Sequence, residues 1–326
     1  MEIKMNITRR RLIAAAGILA SSHVFGQKSD DARIVVPVGP GGQMDDLGRM
    51  IAQGLASAQK RSFIVENRGG AAGQIAATAT ARSAGDPNTM FLASMGIMAV
   101  APHLYPNLPY DVQRDFTPIS LCALAPSALI VNPSVVPART VQEFVQWARK
   151  QKDPIPYGSY GSGSVAHIAA EMFKNAASVQ MTQVPYRDVP RIQADLVKGD
   201  IPLVFDAPSG YVGYEKDNRL RILAITSKAR SPAFPALPTM DRSGFPGFDF
   251  SNWYALFMPR NVPTAAVAQM RISLRAILNS SRIREHFLPT GLEVPGIGAE
   301  DFPAFYGREF ARWQAFIRQN DIRITT

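Results

Sequence analysis

Two glycine-rich loops hold the residues best suited to chemistry. The first runs Gly39-Pro-Gly-Gly-Gln-Met-Asp-Asp46. Residues 34–38 before it form a β-branched run that reads as a buried strand, and Leu47, Met50, Ile51 and Leu55 after it recur at helical spacing. Gly39, Gly41 and Gly42 leave their backbone N–H groups open to an oxygen anion, because no side chain stands in the way. Asp45 and Asp46 suit the positive end of the following helix. The second loop is Tyr157-Gly-Ser-Tyr-Gly-Ser-Gly-Ser-Val-Ala-His167. It offers the hydroxyls of Ser159, Tyr160, Ser162 and Ser164 among the glycines at 158, 161 and 163, and it leads into a helix whose buried side carries Ile168, Met172 and Phe173. Ser164 suits an N-cap, and His167 falls in the first turn, where the helix dipole disfavours its protonated form. Two such loops facing each other across a cleft hold a carboxylate by charge-assisted hydrogen bonds without lysine or arginine. Each also reads as an ordinary strand-to-helix turn, and His167 as a locally bonded residue.

Competing chemistries fit less well. Gly39-x-Gly41 after a strand, with Glu66 closing the next strand, invites a dinucleotide reading, an α/β enzyme with a nucleotide at Gly39–Gly42. Met44 occupies the position of the third glycine, which that fingerprint needs for close helix–strand packing. The G-x-S-x-G elbow of hydrolases is absent around both Ser159 and Ser164. Cys122, the single cysteine, sits in an apolar run and reads as a buried inert thiol. His23, His103, His167 and His286 show no metal-ligand spacing. No catalytic group, metal or cofactor is expected.

The 326 residues suffice for one large or two ordinary domains, and 46% hydrophobic with 19% charged content indicates a globular core. Of the net charge of +9, residues 1–26 supply +3, four basic residues against Glu2. The remaining +6 forms no nucleic-acid arm and reads as a solvated surface that attracts anions. Arg9, Arg10 and Arg11 precede the short apolar segment 12–20, and Val24-Phe25-Gly26 ends at a plausible cleavage point before Gln27. That is the pattern of an export signal over 1–26, by the general secretory or the twin-arginine route, and the apolar segment is too short for a good membrane span.

The elements that must position the loops alternate. Strand, glycine turn and helix recur from residue 63 to about 83, and Met90 to Ala93 reads as a third strand ending at Ser94, beside the first glycine loop. A parallel sheet with ligand loops at its strand C-terminal ends follows. Thr140 and Glu143 form a capping-box pattern, and Thr264 reads as the cap of a helix over 265–279. Leu203-Val-Phe205 is a strand ending at Asp206, residues 220–226 suit a strand that recrosses between domains, 253–257 is a further strand, and a helix spans about 303–319.

In order and spacing, Pro40-Gly-Gly-x-x-Asp45-x-x-Gly-Arg49, Val65-Glu-Asn-Arg68 with Gly73, Leu108-Pro-Tyr-Asp111 with Asp115-Phe116, the 157–167 loop, Val184-Pro-Tyr186, Pro246-Gly-Phe248 and Trp253 resemble the Bug family of periplasmic solute-binding receptors, associated with tripartite tricarboxylate transporters. The resemblance runs from about Arg33 to the C-terminus. It implies an α/β, two-domain type II periplasmic binding protein, a clamshell of mixed sheets flanked by helices with two interdomain crossings. The domains implied are 27–124 with 226–326, and 125–225, after a signal segment at 1–26. It also implies capture of a small organic carboxylate between Gly39, Gly41, Gly42, Gln43 and Ser94 on one wall and Ser159, Gly161, Gly163, Ser164, His167 and Asp206 on the other. The partners implied are the membrane permease subunits of such a transporter, or a sensor kinase, for a monomer in the periplasm. Gln43 stands where a small residue or proline is common in the family, and Asp188 where glycine is usual. An extra carboxylate at 188 would repel a dianion or favour a ligand with an amino group.

Overall fold

The computed structural model describes residues 31–295 and 301–323. The expected signal segment and its cleavage point lie outside the described residues. Two five-stranded sheets organise the chain. The first contains β1 (Ala32–Val36), β2 (Phe63–Asn67), β3 (Thr89–Ser94), β4 (Phe116–Pro126) and β10 (Ser251–Pro259), in the order β2-β1-β3-β10-β4. The second contains β5 (Ala128–Val131), β6 (Ile155–Ser159), β7 (Met181–Pro185), β8 (Leu203–Asp206) and β9 (Arg221–Ile225), in the order β7-β6-β8-β5-β9. In each sheet four strands run one way and one runs against them: β10 against β3 and β4, and β5 against β8 and β9.

The continuous apolar strands are explained by burial on both faces. Ile34, Val36, Met90 and Leu92 pack against α1 (Gln43–Gln59) and α8 (Thr264–Leu278). The alternate residues Val35, Phe91 and Ala93 join the core under α2 (Gln74–Ala81) and α10 (Phe302–Gln319). A π-helical turn at Gly96–Val100 and the short α3 (Ala101–Leu104) follow β3 directly. In the second sheet, Leu129, Leu203 and Phe205 face α4 (Val141–Ala148) and α5 (Val165–Ala177), while Ile130 and Val204 face α6 (Val189–Lys198). The short helices α7 (Val212–Lys216) and α9 (Ser281–Phe287) complete the fold.

The chain crosses between the sheets after β4 and again after β9. The two crossings are bonded side by side: Thr226 N–H donates to the Ser127 carbonyl at 2.8 Å, and Thr226 Oγ1 accepts from Ser127 N–H at 2.9 Å. A threonine hydroxyl thus takes the place of a ladder partner where the chain crosses.

Several local expectations change in detail. Thr140 caps α4 through Glu143 N–H, but the Glu143 carboxylate reaches Arg139 N–H rather than closing the box on Thr140. Thr264 lies inside α8 and Pro263 occupies the cap position, with no side-chain bond. Cys122 is fully buried, and burial pushes its thiol up to about 12, which fits an inert side chain.

Candidate functional site

Both glycine loops end at helix starts on the same cavity, of about 490 Å³, between the two sheets. From the first sheet's side it is lined by Pro37, Val38, Gln43 and Met44 at the head of α1, by Gly73 at the head of α2, and by Ser94, Gly96, Ile97, Val100 and Leu104 after β3. From the second it is lined by Tyr160, Ser162, Gly163, Ser164 and Val165 at the head of α5, by Val189 at the head of α6, and by Asp206. The crossing strands supply Ser127, Asn252 and Tyr254.

Gly42 and Gly73 cap α1 and α2 without a side-chain bond, so these helix starts keep orphan N–H groups and the positive end of their dipoles beside the cavity. Ser164 caps α5 by accepting from His167 N–H at 3.3 Å. Asp206 is the one formally charged side chain among the described residues lining the cavity. Polar attraction for an anion therefore comes from helix starts and hydroxyls. Ile97, Val100, Leu104, Val165 and Val189 make much of the remaining wall apolar.

Of the residues singled out in the sequence, Gln43, Ser94, Gly163, Ser164 and Asp206 line the cavity. Gly39, Gly41, Gly42, Ser159, Gly161 and His167 do not, and most have internal duties. Gly41 N–H donates to the Asp45 carboxylate at 2.9 Å, so this chain's own carboxylate holds that amide. The same carboxylate takes Arg49 and the Asn67 amide, which also bonds the Val38 carbonyl. Burial alone would raise the Asp45 carboxyl, but its bonds from Arg49, Gly41 and Asn67 outweigh it and hold the group below its usual value. Gly42 is spent as the α1 cap, its carbonyl accepting from Asp46 N–H. Ser159 is fully buried, and its Oγ accepts from Gln183 at 2.6 Å and from Gly161 N–H at 3.2 Å. His167 is buried with Nδ1 accepting from Gly163 N–H at 3.0 Å; burial lowers its affinity for a proton and keeps the ring neutral. These groups set the loop shapes.

Gln43 binds the Thr290 carbonyl at 3.0 Å while lining the cavity. Asp188 is exposed and outside the lining; its carboxylate caps α6 through Arg191 N–H at 3.0 Å, it adjoins Val189, which lines the cavity, and its charge acts on the lining hydroxyl of Tyr160. Glu66, the acid of the dinucleotide reading, binds Arg68 at 2.6 Å and does not line the cavity.

Asp206 closes β8 and is held by three donors: Tyr160 OH, Tyr211 OH at 2.8 Å and Ala207 N–H at 2.8 Å. Burial nevertheless raises its carboxyl above the ordinary range. The sequence reading passed over Asn252 and Tyr254. They flank Trp253, whose indole is buried in the core, so strand alternation turns both to the opposite face. That period was the available signal. Burial pushes the Tyr254 hydroxyl up to about 12, with the neighbouring Asn252 side chain acting the other way.

Known proteins resemble this arrangement over nearly its whole length. The family described as "Tripartite tricarboxylate transporter family receptor" matches residues 47–322. Protein BugT of Bordetella pertussis is 29% identical over 327 residues, covering 98% of this chain and all of that protein. Among solved structures, R. palustris Rpa4515 with adipate superposes with a TM-score of 0.79 at 31% identity, covering 90% of this chain and 98% of the other. MatC from Rhodopseudomonas palustris with bound malate gives 0.75 at 27% identity, covering 88% and 98%. With its two mixed sheets, paired crossings and interdomain cavity, the chain belongs to the tripartite tricarboxylate transporter receptor family, the Bug-type periplasmic solute-binding receptors.

Proposed function

We propose that this chain is an exported receptor that captures a small organic carboxylate in the interdomain cavity and delivers it to the membrane permease of a tripartite tricarboxylate-type transporter. The observation that carries the reading is the cavity itself: the heads of α1, α2 and α5 open onto it from both sheets, and its described lining holds no cationic side chain. Helix starts favour anions without a lysine or arginine. Relatives solved with adipate and with malate support the ligand class. In this reading 27–124 and 226–326 form one lobe, 125–225 the other, and the Ser127–Thr226 pair is the hinge about which they close on the ligand. The contacts proposed are Gln43 and Ser94 on one wall and Gly163 and Ser164 on the other; Gly39, Gly41, Gly42, Ser159, Gly161 and His167 shape the two loops. The receptor performs no chemistry.

A thermal-shift screen of aliphatic, aromatic and amino carboxylates, with NAD and NADP as controls, tests this. A true ligand at about a hundred times its Kd adds about 2.7 kcal/mol, a readily seen shift. A response to nucleotides alone would overturn the receptor reading.

A further inference from the structure

Three tyrosines, Tyr105, Tyr160 and Tyr254, line the cavity, and among the described residues none of their rings meets another aromatic ring. In the core of the second sheet, by contrast, Phe173 packs against Phe144, Phe205 and Phe245 at centroid distances of 5.7, 5.5 and 5.3 Å. Tyr160 is fixed at its far end. Its hydroxyl donates to Asp206 Oδ2, which also accepts from the buried Tyr211 OH at 2.8 Å, and Asp206 Oδ1 accepts Ala207 N–H. The Tyr160 ring packs on the cluster that holds Ile192, Leu196 and Tyr211, yet it is only half-buried. The hydroxyl proton is spent on Asp206, so what Tyr160 adds to the cavity wall is ring surface held in place.

Resting on the receptor reading, we infer that Tyr160 is a specificity-determining residue and that the ligand is a carboxylate bearing an aromatic ring, packed against the Tyr160 ring with its carboxylate toward the helix starts. Val165 and Val189 on the same side, and Val100 and Leu104 on the other wall, surround the ligand's ring with apolar groups. An aromatic pair adds attraction beyond the area it buries, because the electron-rich face of one ring meets the electron-poor edge of the other. A wall residue already pinned loses little freedom on binding, so that attraction is not consumed in ordering it. A saturated ring of the same carbon count buries as much apolar surface and lacks the electrostatic part.

Titration calorimetry of the full chain with matched ring pairs tests this. The probes are benzoate against cyclohexanecarboxylate, phenylacetate against cyclohexylacetate, and 3-phenylpropanoate against 3-cyclohexylpropanoate, with hexanoate and adipate as open-chain acids. At the best spacer length the aromatic acid is expected to bind about threefold to tenfold more tightly than its saturated partner, the scale of one aromatic pair. Tyr160→Leu is expected to erase that preference. Tyr160→Phe keeps the ring and is expected to retain most of it, which separates the ring from the hydroxyl bonded to Asp206. Equal or tighter binding of the saturated acids, or binding confined to open-chain acids here or in the wider screen, would overturn the inference and leave the receptor reading standing. Absence of binding across all carboxylates in both would overturn both readings. A preference that persists in Tyr160→Leu, or one lost equally in Tyr160→Phe, would overturn the role given to the Tyr160 ring. The wild-type series decides the ligand class even where a variant fails to fold.

Discussion

A β-carbon placed on Gly163 would lie 2.6 Å from Leu104 Cδ1, far inside van der Waals contact. The two residues belong to opposite sides of the cavity, Leu104 following β3 and Gly163 preceding α5. Gly163 also has φ +79°, which glycine adopts freely and other residues at a cost of about 1–2 kcal/mol. Close approach of the two walls therefore depends on the missing side chain.

Gly163→Ala is expected to weaken carboxylate binding about tenfold, from backbone strain together with displacement of Leu104. Adding Leu104→Ala relieves the steric part only, so the double variant should regain some affinity and remain below wild type. Calorimetry with the carboxylate found in the thermal-shift screen reads both. Unchanged affinity in Gly163→Ala would show that the walls close without this contact.

His167 makes stability depend on pH. Its buried ring, accepting Gly163 N–H at Nδ1, binds a proton less readily than the ordinary value of 6.5. The unfolded chain therefore takes up a proton that the folded chain refuses, and stability falls as pH drops below about 6.5 until it passes the folded value. His167→Asn keeps an acceptor near the Nδ1 position and removes the titration. Denaturant unfolding between pH 7.5 and 5 should show a shallower pH slope in the variant; identical slopes would exclude His167 as the source.

The Asp45 carboxylate has the opposite sign. Held below 3.8 by Arg49, Gly41 and Asn67 against the effect of burial, it stabilises the fold fully above about pH 4 and loses that contribution as pH falls through its folded value. Asp45→Asn is expected to cost about 1–3 kcal/mol near neutral pH, the usual penalty for breaking a buried network. It should also loosen Gly39–Gly42, so amide exchange at Gly41 is expected to accelerate. Exchange at the wild-type rate would place the loop's order elsewhere.

The sequence is most legible where one interaction is local. Ser164 caps α5 and β8 ends at Asp206 as their neighbours predict. It is less legible where a local pattern has a competing partner: Glu143 satisfies Arg139, and the Gly41 amide, read as open to an anion, is held by Asp45 four residues on. The 11-residue strand β4 went unread because Pro118, Ser120 and Pro126 interrupt its apolar pattern; β10 pairs with it through two register shifts. Contacts such as Leu104 with Gly163 depend on how two lobes meet, which no spacing along the chain encodes.

Glu309 ties the C-terminal helix to β10, whose Asn252 and Tyr254 line the cavity. One carboxylate oxygen accepts both indole N–H groups, Trp253 at 3.1 Å and Trp313 at 3.0 Å, and the other accepts from Arg312 at 3.1 Å. Both indoles are essentially buried. Glu309→Ala strands two buried donors at about 1–3 kcal/mol each and is expected to destabilise the chain by about 2–6 kcal/mol. Glu309→Gln retains an accepting oxygen and should cost much less, since one amide oxygen can still meet both indoles. Trp253 lies between Asn252 and Tyr254, so Glu309→Ala should also weaken ligand binding through misplacement of both lining residues. Chemical denaturation and calorimetry on the two variants separate these effects. Equal stability of Glu309→Ala and wild type would mean that the indoles find other acceptors, and α10 would then hold β10 by apolar packing alone.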